Sequence, residues 1–419
     1  MPPLVHPPES NGACRDVVAL TIDPAIRDGP GVHRSVRAPE YLTGWWQLTL
    51  PTSSVWRRYA PLIVAFSISR LVVLSAAILV EAGAVDVNPR LDPGDPAPIL
   101  RSLTTWDGVW FLEIARDGYH LEPRPGTNYV DYAFFPLYPT AVRILSFASP
   151  GLLALIAVAL NWALFAAALV LLVRLAERHL GESRAIRASA LLAISPFSFV
   201  YSMAYSEPLT LFFVVLAFLA AEGGHAWRTG AAFAVASVAR AQAAFYLVPL
   251  ALASRLRGPG RKRWVALALG PLATLFYLGW VAVFTGQLNG YFASYAAWGR
   301  NSGGAAAAAA GSVGQAMDGP LAYYFALLMV CLVVAVGLFV FVRTDRIPLA
   351  YAAIPAISLV MLLVSGSLEA IGRVVLLAFP YSWILASRQH IAWRVGWPIV
   401  SVVLLAFFSI LTFAGWWIP

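Results

Sequence analysis

The stretch Thr104-Thr105-Trp106-Asp107-Gly108-Val109-Trp110-Phe111 sets one carboxylate among aromatic side chains, and Ala133-Phe134-Phe135-Pro136-Leu137-Tyr138-Pro139 follows after a Pro/Gly-rich gap. A carboxylate so placed, in the first sizeable loop after a long apolar run, can take a proton from a hydroxyl delivered at a membrane surface. Asp107 also admits a plainer role. Thr104 and Asp107 stand three apart at a helix start, like a capping box with Asp in place of Glu, where an anion is favoured. Trp106, Trp110 and Phe111 read as interfacial aromatics that set the height of the carboxylate.

Other charged residues divide by context. Asp131, just before the Phe-Phe-Pro sequence, is the candidate for a second acid, whereas Glu113, Asp117 and Glu122 read as solvated loop carboxylates. Glu207 follows Tyr205 and Ser206 and precedes Pro208, so it is either a helix-start anion or a member of the site. Arg70 lies about ten residues into an apolar span, roughly 15 Å deep by helical rise, and needs an internal partner. Glu369 and Arg373 have the i,i+4 spacing of a helical ion pair; Arg373 is alternatively a phosphate ligand, for which the planar guanidinium is well shaped.

The elements that carry these groups must be membrane helices. Of the 419 residues, 60% are hydrophobic and 12% charged, whereas soluble domains sit near ~45–50% and ~25%. The first 56 residues, polar and Pro-rich with scattered Arg, read as a disordered cytoplasmic tail with no evident cleavable signal peptide. Residues 57–419 form the membrane domain. Cys14 in the tail and Cys331 in an apolar span do not make a disulfide, and no cluster of His, Cys or carboxylates has metal-ligand spacing. The net charge of +8 is carried by short basic loops, which orient spans and meet lipid headgroups rather than nucleic acid.

Span one, Pro61 to Val80, follows Arg57-Arg58 and therefore leaves the N-terminus inside. Residues 81–150 are then a first extracytoplasmic loop, helical over Asp107 to Asp117 and interfacial over Tyr132 to Phe147. Spans Leu152 to Val173, Ala188 to Met203 and Pro208 to Ala221 follow. Thr229 to Ser254 has basic flanks on both sides, so a single crossing breaks the charge rule. Two half-length helices meeting near Arg240-Ala241-Gln242 resolve this, with Arg240 facing a cavity and a negative partner. Later spans are Trp264 to Phe284, Leu321 to Val342, Ile347 to Val364, Arg373 to Ala386 and Val395 to Trp417, with a low-complexity linker loop over 287–320. The expected fold is all-α and polytopic, with about 10–12 membrane segments.

No Walker loop, dinucleotide fingerprint or GxSxG elbow occurs, so nucleotide-driven chemistry has no support. Carboxylates with arginines at an outer membrane surface fit transfer from a lipid carrier with a phosphate leaving group. A lipid or glycolipid flippase is the competing reading, since broken half-helices also serve transporters.

Taken in order, Trp106-Asp107-Gly108 through Gly118-Tyr119, Ala133 to Pro139, Ser195-Pro196-Phe197, Tyr205-Ser206-Glu207-Pro208-Leu209, Ser237-Val238-Ala239-Arg240 and Ile371-Gly372-Arg373 resemble the PIG-V type of GPI mannosyltransferase and its bacterial relatives. The resemblance implies a GT-C helical fold with an extracytoplasmic active site. It implies a polyprenyl-phosphate mannose donor and a lipid-linked, glycan or protein acceptor; no cofactor is expected from the residues, and the sequence does not decide whether a divalent ion assists. Asp107 is by this likeness the catalytic carboxylate, with Glu207, Arg240 and Arg373 lining the cavity and Trp106, Trp110, Asp131, Phe135 and Tyr205 as substrate-binding candidates. The high Ala, Arg and Gly content points to a bacterial inner membrane.

Overall fold

The computed structural model describes residues 53–88, 97–255, 260–297, 347–364 and 371–417, and every regular element among them is helical. The N-terminal tail, most of the linker loop, the span expected over Leu321 to Val342 and the residue Glu369 lie outside the described residues.

Four described helices are long and apolar enough to cross a bilayer: α1 (Ser53–Glu81), α5 (Pro150–Leu180), α10 (Arg261–Thr285) and the last helix, α15 (Trp397–Phe413), with the turn that precedes it. Between α1 and α5 run α2 (Pro98–Thr104), α3 (Asp107–Asp117) and α4 (Leu137–Leu145). At nine residues, α4 is only about 14 Å long by helical rise and cannot span, which fits the interfacial reading of that segment. Helix α5 runs well past the expected end at Val173, through Arg178 and His179, to stop at Gly181 with φ +78°.

Two expected spans are instead broken. Ala188 to Met203 is the end of α6 (Glu182–Ala193), a break at Ser195-Pro196 and a short 3₁₀ turn over Ser198–Ser202. Arg373 to Ala386 is divided between α13 (Ile371–Leu377) and α14 (Pro380–Ser387). The first break carries Pro196, which has no N–H to donate, and the second is followed by Pro380 at the first position of α14, where a proline starts a helix rather than continuing one. Apolar composition alone did not reveal them, because a buried break is as apolar as a buried helix.

Helix α7 (Glu207–Glu222) leads to α8 (Ala226–Ala239), which ends at Arg240 in extended conformation, φ −164° and ψ 135°. A 3₁₀ turn over Ala241–Tyr246 and the short α9 (Leu247–Arg255) complete the pair of half-helices expected from the charge pattern. The remaining described helices are α11 (Gly290–Ala297) and α12 (Leu349–Val364), the latter packed against α9.

Helices α8 and α10 pack closely through glycines, backbone against backbone at Gly230 and a ring against backbone at Gly270. A Cβ on Gly230 would lie 2.4 Å from the Ala266 carbonyl oxygen, and one on Gly270 would lie 2.3 Å from the Phe233 ring. Small residues at such contacts let helix backbones meet where the hydrophobic effect gives no drive for association. Gly230→Ala is therefore expected to destabilise the protein by about 1–3 kcal/mol through overpacking. Thermal unfolding of the detergent-solubilised variant checks this, and a midpoint equal to wild type would refute the close approach.

Arg70 shows how the core accommodates a buried charge. Its guanidinium carbon lies 5.2 Å from the Phe66 and Phe165 ring centroids and 5.8 Å from that of Trp162. Nη2 donates to Ser69 Oγ at 3.0 Å and to the Ser198 carbonyl at 3.1 Å. The internal partner is thus aromatic and carbonyl rather than ionic, and it ties α1 and α5 to the break after α6.

Candidate active site

Asp107 opens α3 because the chain turns sharply just before it. Trp106 holds φ +59° and ψ −121°, a costly conformation for a residue with a Cβ, and its indole nitrogen donates to the Thr412 carbonyl on α15 at 3.0 Å. The capping-box reading is corrected: Thr104 Oγ1 bonds back to the Leu100 carbonyl at 2.7 Å, and no side chain caps α3. The Asp107 carboxylate is left free of local partners and faces another segment.

That segment is α13. Arg373 Nη1 pairs with Asp107 Oδ2, and Arg373 Nε lies 3.8 Å from Glu207 Oε1. The same Glu207 oxygen is 2.7 Å from Arg240 Nη1. A chain of alternating charge, Asp107, Arg373, Glu207 and Arg240, thus links the starts of α3 and α7 to α13 and to the break between the half-helices. Glu207 is completely buried and Arg373 nearly so, yet each is matched by opposite charge, which is what makes burial tolerable. The two carboxylates and two guanidinium groups sum to zero.

Tyr205 completes the cluster. Its ring lies 5.5 Å from the Arg373 guanidinium carbon, and its hydroxyl accepts from the Asp107 backbone N–H at 3.3 Å. The turn carrying Tyr205 is held by Asn161 on α5, whose amide nitrogen is 2.5 Å from the Met203 carbonyl, 2.8 Å from the Tyr205 carbonyl and 3.0 Å from Tyr138 Oη. Asn161 was not among the sequence candidates. A lone amide in the middle of an apolar span was the available signal, since such residues in membrane helices almost always face the protein interior. Ser206 Oγ lies 3.4 Å from Arg240 Nη1, and Gln242 Oε1 accepts from Arg240 Nε at 3.3 Å.

The other sequence candidates serve the scaffold. Trp110 and Phe111 are buried, not interfacial: Trp110 stacks on Phe134 at 5.9 Å with Arg124 over its ring, and Phe111 packs edge-on against Phe134 and Tyr138. The loop after α3 folds back over that helix and takes the place the bilayer was expected to fill. Phe135 is buried 4.5 Å from the Tyr277 ring on α10. Asp131 accepts from the His120 backbone N–H at 3.0 Å and lies 2.8 Å from His120 Nδ1. Burial pushes its carboxyl above the usual range, and the bonds from His120 oppose that. Its bonds to His120 close the loop after α3. Glu113 pairs with Arg124 at 3.2 Å and is partly buried rather than solvated. Among the described residues no group of three or more His, Cys or acidic side chains is arranged to hold a metal ion.

The sequence from residue 62 to 253 matches the family described as Mannosyltransferase (PIG-V), which bears out the resemblance drawn from the motifs. Asp107, Tyr205, Glu207 and Arg240 lie inside the matched segment and Arg373 lies beyond it. The chain is 33% identical over 171 residues to a GPI alpha-1,6-mannosyltransferase 2 of Mus musculus, covering 36% of this chain and 32% of the relative. It is 32% identical over 123 residues to a GPI mannosyltransferase 2 of Drosophila pseudoobscura pseudoobscura, covering 27% and 26% respectively. The matched stretches therefore span between a quarter and a third of these relatives' lengths.

Proposed function

We propose that this chain is a membrane glycosyltransferase that moves a mannosyl residue from polyprenyl-phosphate mannose to a lipid-linked, glycan or protein acceptor, with Asp107 as the general base. The observation that carries the reading is the junction of Asp107, Arg373, Glu207 and Arg240, formed largely from the segment that matches the mannosyltransferase family. Transfer with a phosphate leaving group needs a carboxylate to receive the acceptor proton and cations to receive the charge that develops on the departing phosphate, and both stand here in one charge-balanced cluster.

In this reading the acceptor hydroxyl oxygen forms a bond to the anomeric carbon while its proton passes to Asp107. The bond from that carbon to the phosphate oxygen breaks, and its electron pair leaves with the phosphate. Because the resting cluster is neutral and internally paired, an arriving phosphate draws Arg373 from Asp107 and frees the base only when donor is present. Glu207 keeps both guanidinium groups aimed at one place. The multi-pass chain lies in the bacterial inner membrane with this cluster at the extracytoplasmic face, in line with the positive-inside orientation.

The test is transfer from radiolabelled polyprenyl-phosphate mannose in membranes containing wild type, Asp107→Asn or Asp107→Ala. Loss of a general base is expected to lower transfer by about 10²–10⁴-fold in both variants. Equal transfer in all three would end the catalytic assignment of Asp107.

A further inference from the structure

Arg373 rides on a helix that cannot hold its own position. Helix α13 has seven residues, too few to be stable by itself, so packing must place it. Its last carbonyls have no partner within the helix, and two of them are met by buried tyrosines. Tyr201 Oη donates to the Leu376 carbonyl at 2.8 Å, and Tyr246 Oη donates to the Leu377 carbonyl at 2.8 Å. These carbonyl residues follow Arg373 by only about 4.5–6 Å of helical rise. At the other end, a Cβ on Gly372 would lie 2.8 Å from the Phe197 ring, so the first turn of α13 rests directly on that ring.

The two tyrosines come from the segments that surround Arg373 with its partners. Tyr201 belongs to the 3₁₀ turn Ser198–Ser202, which runs on into Tyr205, Ser206 and Glu207. Tyr246 ends the 3₁₀ turn Ala241–Tyr246, which starts directly after Arg240. Each broken segment thus gives one charged group to the cluster and one hydroxyl to the helix that bears Arg373. Each ring is itself held by packing: Tyr201 stacks on Phe165 of α5 at 4.1 Å, and Tyr246 lies edge-on to Phe218 of α7 at 6.4 Å.

We infer that Tyr201 and Tyr246 are positioning residues for Arg373: by gripping the last turn of α13 from the two broken segments, they hold its guanidinium in register with Glu207 and Asp107. This rests on the transfer reaction proposed above and adds what aims its cation. A displacement on the order of 1 Å in a reacting group can cost about 10²-fold in rate. A helix given slack at its last turn therefore loses turnover before it loses its fold.

The experiment measures transfer from radiolabelled polyprenyl-phosphate mannose in membranes containing the full chain, with the donor titrated and the chain quantified. The variants are Tyr201→Phe, Tyr246→Phe and Gly372→Ala, each alone and combined with Arg373→Gln. Phe keeps the ring and removes only the hydroxyl, whereas Ala leaves both hydroxyls and pushes the first turn of α13 off Phe197. Each single variant is expected to lower kcat by about 10–10²-fold. KM for the donor should stay within about twofold, because aim matters more in the transition state than in the bound ground state. In the Arg373→Gln background the same changes should cost less than about twofold more, since the group they aim is gone. Fully multiplicative losses there would overturn the inference, as the tyrosines would then act on the fold or on another group. Wild-type kcat in the tyrosine variants would overturn it as well. Thermal unfolding of the solubilised variants shows which of them fold. Where a tyrosine variant does not fold, Gly372→Ala decides: normal turnover would overturn the inference, and a loss that vanishes with Arg373→Gln would sustain it. Absence of transfer by the wild-type chain would overturn the donor reading and the inference with it.

Discussion

Replacing Arg373 by Gln is expected to reduce sugar transfer by about 10²–10³-fold, the scale on which removal of one preorganised electrostatic donor acts. Arg373 is 3% exposed and contacts both carboxylates, Asp107 through Nη1 and Glu207 through Nε. Gln keeps a donor at that place but removes the charge that, under the proposed reaction, receives the departing phosphate. Arg373→Lys separates charge from geometry. An ammonium is a compact point charge and cannot reach both carboxylates as the planar fork does, nor lie over the Tyr205 ring in the same way. Lys is therefore expected to recover donor binding more than turnover, with KM near wild type and kcat still low. Steady-state kinetics on the purified proteins give the split, and circular dichroism with thermal unfolding shows whether the variants are folded. Wild-type kcat in folded Arg373→Gln would remove Arg373 from the chemistry and leave it a structural counterion.

The parts of this arrangement legible in the sequence were those where charge conflicts with its surroundings. Arg240 stood between basic flanks that no single crossing could satisfy, and the chain there is indeed broken, with Arg240 paired to Glu207. Glu207 and Asp107 were placed at helix starts, where both lie. What sequence could not supply was partner choice across long separations. Glu369, four residues from Arg373, was the natural local partner and lies outside the described residues, whereas the contacts of Arg373 are Asp107 and Glu207, 266 and 166 positions away. Aromatic residues misled for a related reason. Trp110 and Phe111 read as interfacial aromatics, but the loop after α3 folds over them and buries them. Amphipathic rings suit either setting, so only the path of the loop decides.

Glu207→Gln tests the same cluster from its centre and should act first on stability. The carboxylate has no solvent exposure, lies 2.7 Å from Arg240 and 3.8 Å from Arg373, and opens α7 immediately before Pro208, where the helix dipole favours a negative charge. Gln preserves the shape and removes the charge that both guanidinium groups share. Breaking a buried ion pair from one side costs about 3–5 kcal/mol, because the remaining charge stays buried and uncompensated. The variant is thus expected to unfold at markedly lower temperature in detergent. Arg240→Met should restore part of the loss when combined with it, since an apolar side chain of similar length removes the orphaned charge at the half-helix junction. A double-mutant cycle then gives a coupling of about 0.5–3 kcal/mol for contacting groups. Additivity of the two substitutions would mean that Glu207 and Arg240 do not depend on each other, and the charge chain would divide at that point. Coupling between them together with lost transfer in the rescued double variant would instead separate two demands on one carboxylate: it holds the half-helices against α7, and it keeps the arginines where a phosphate must be met.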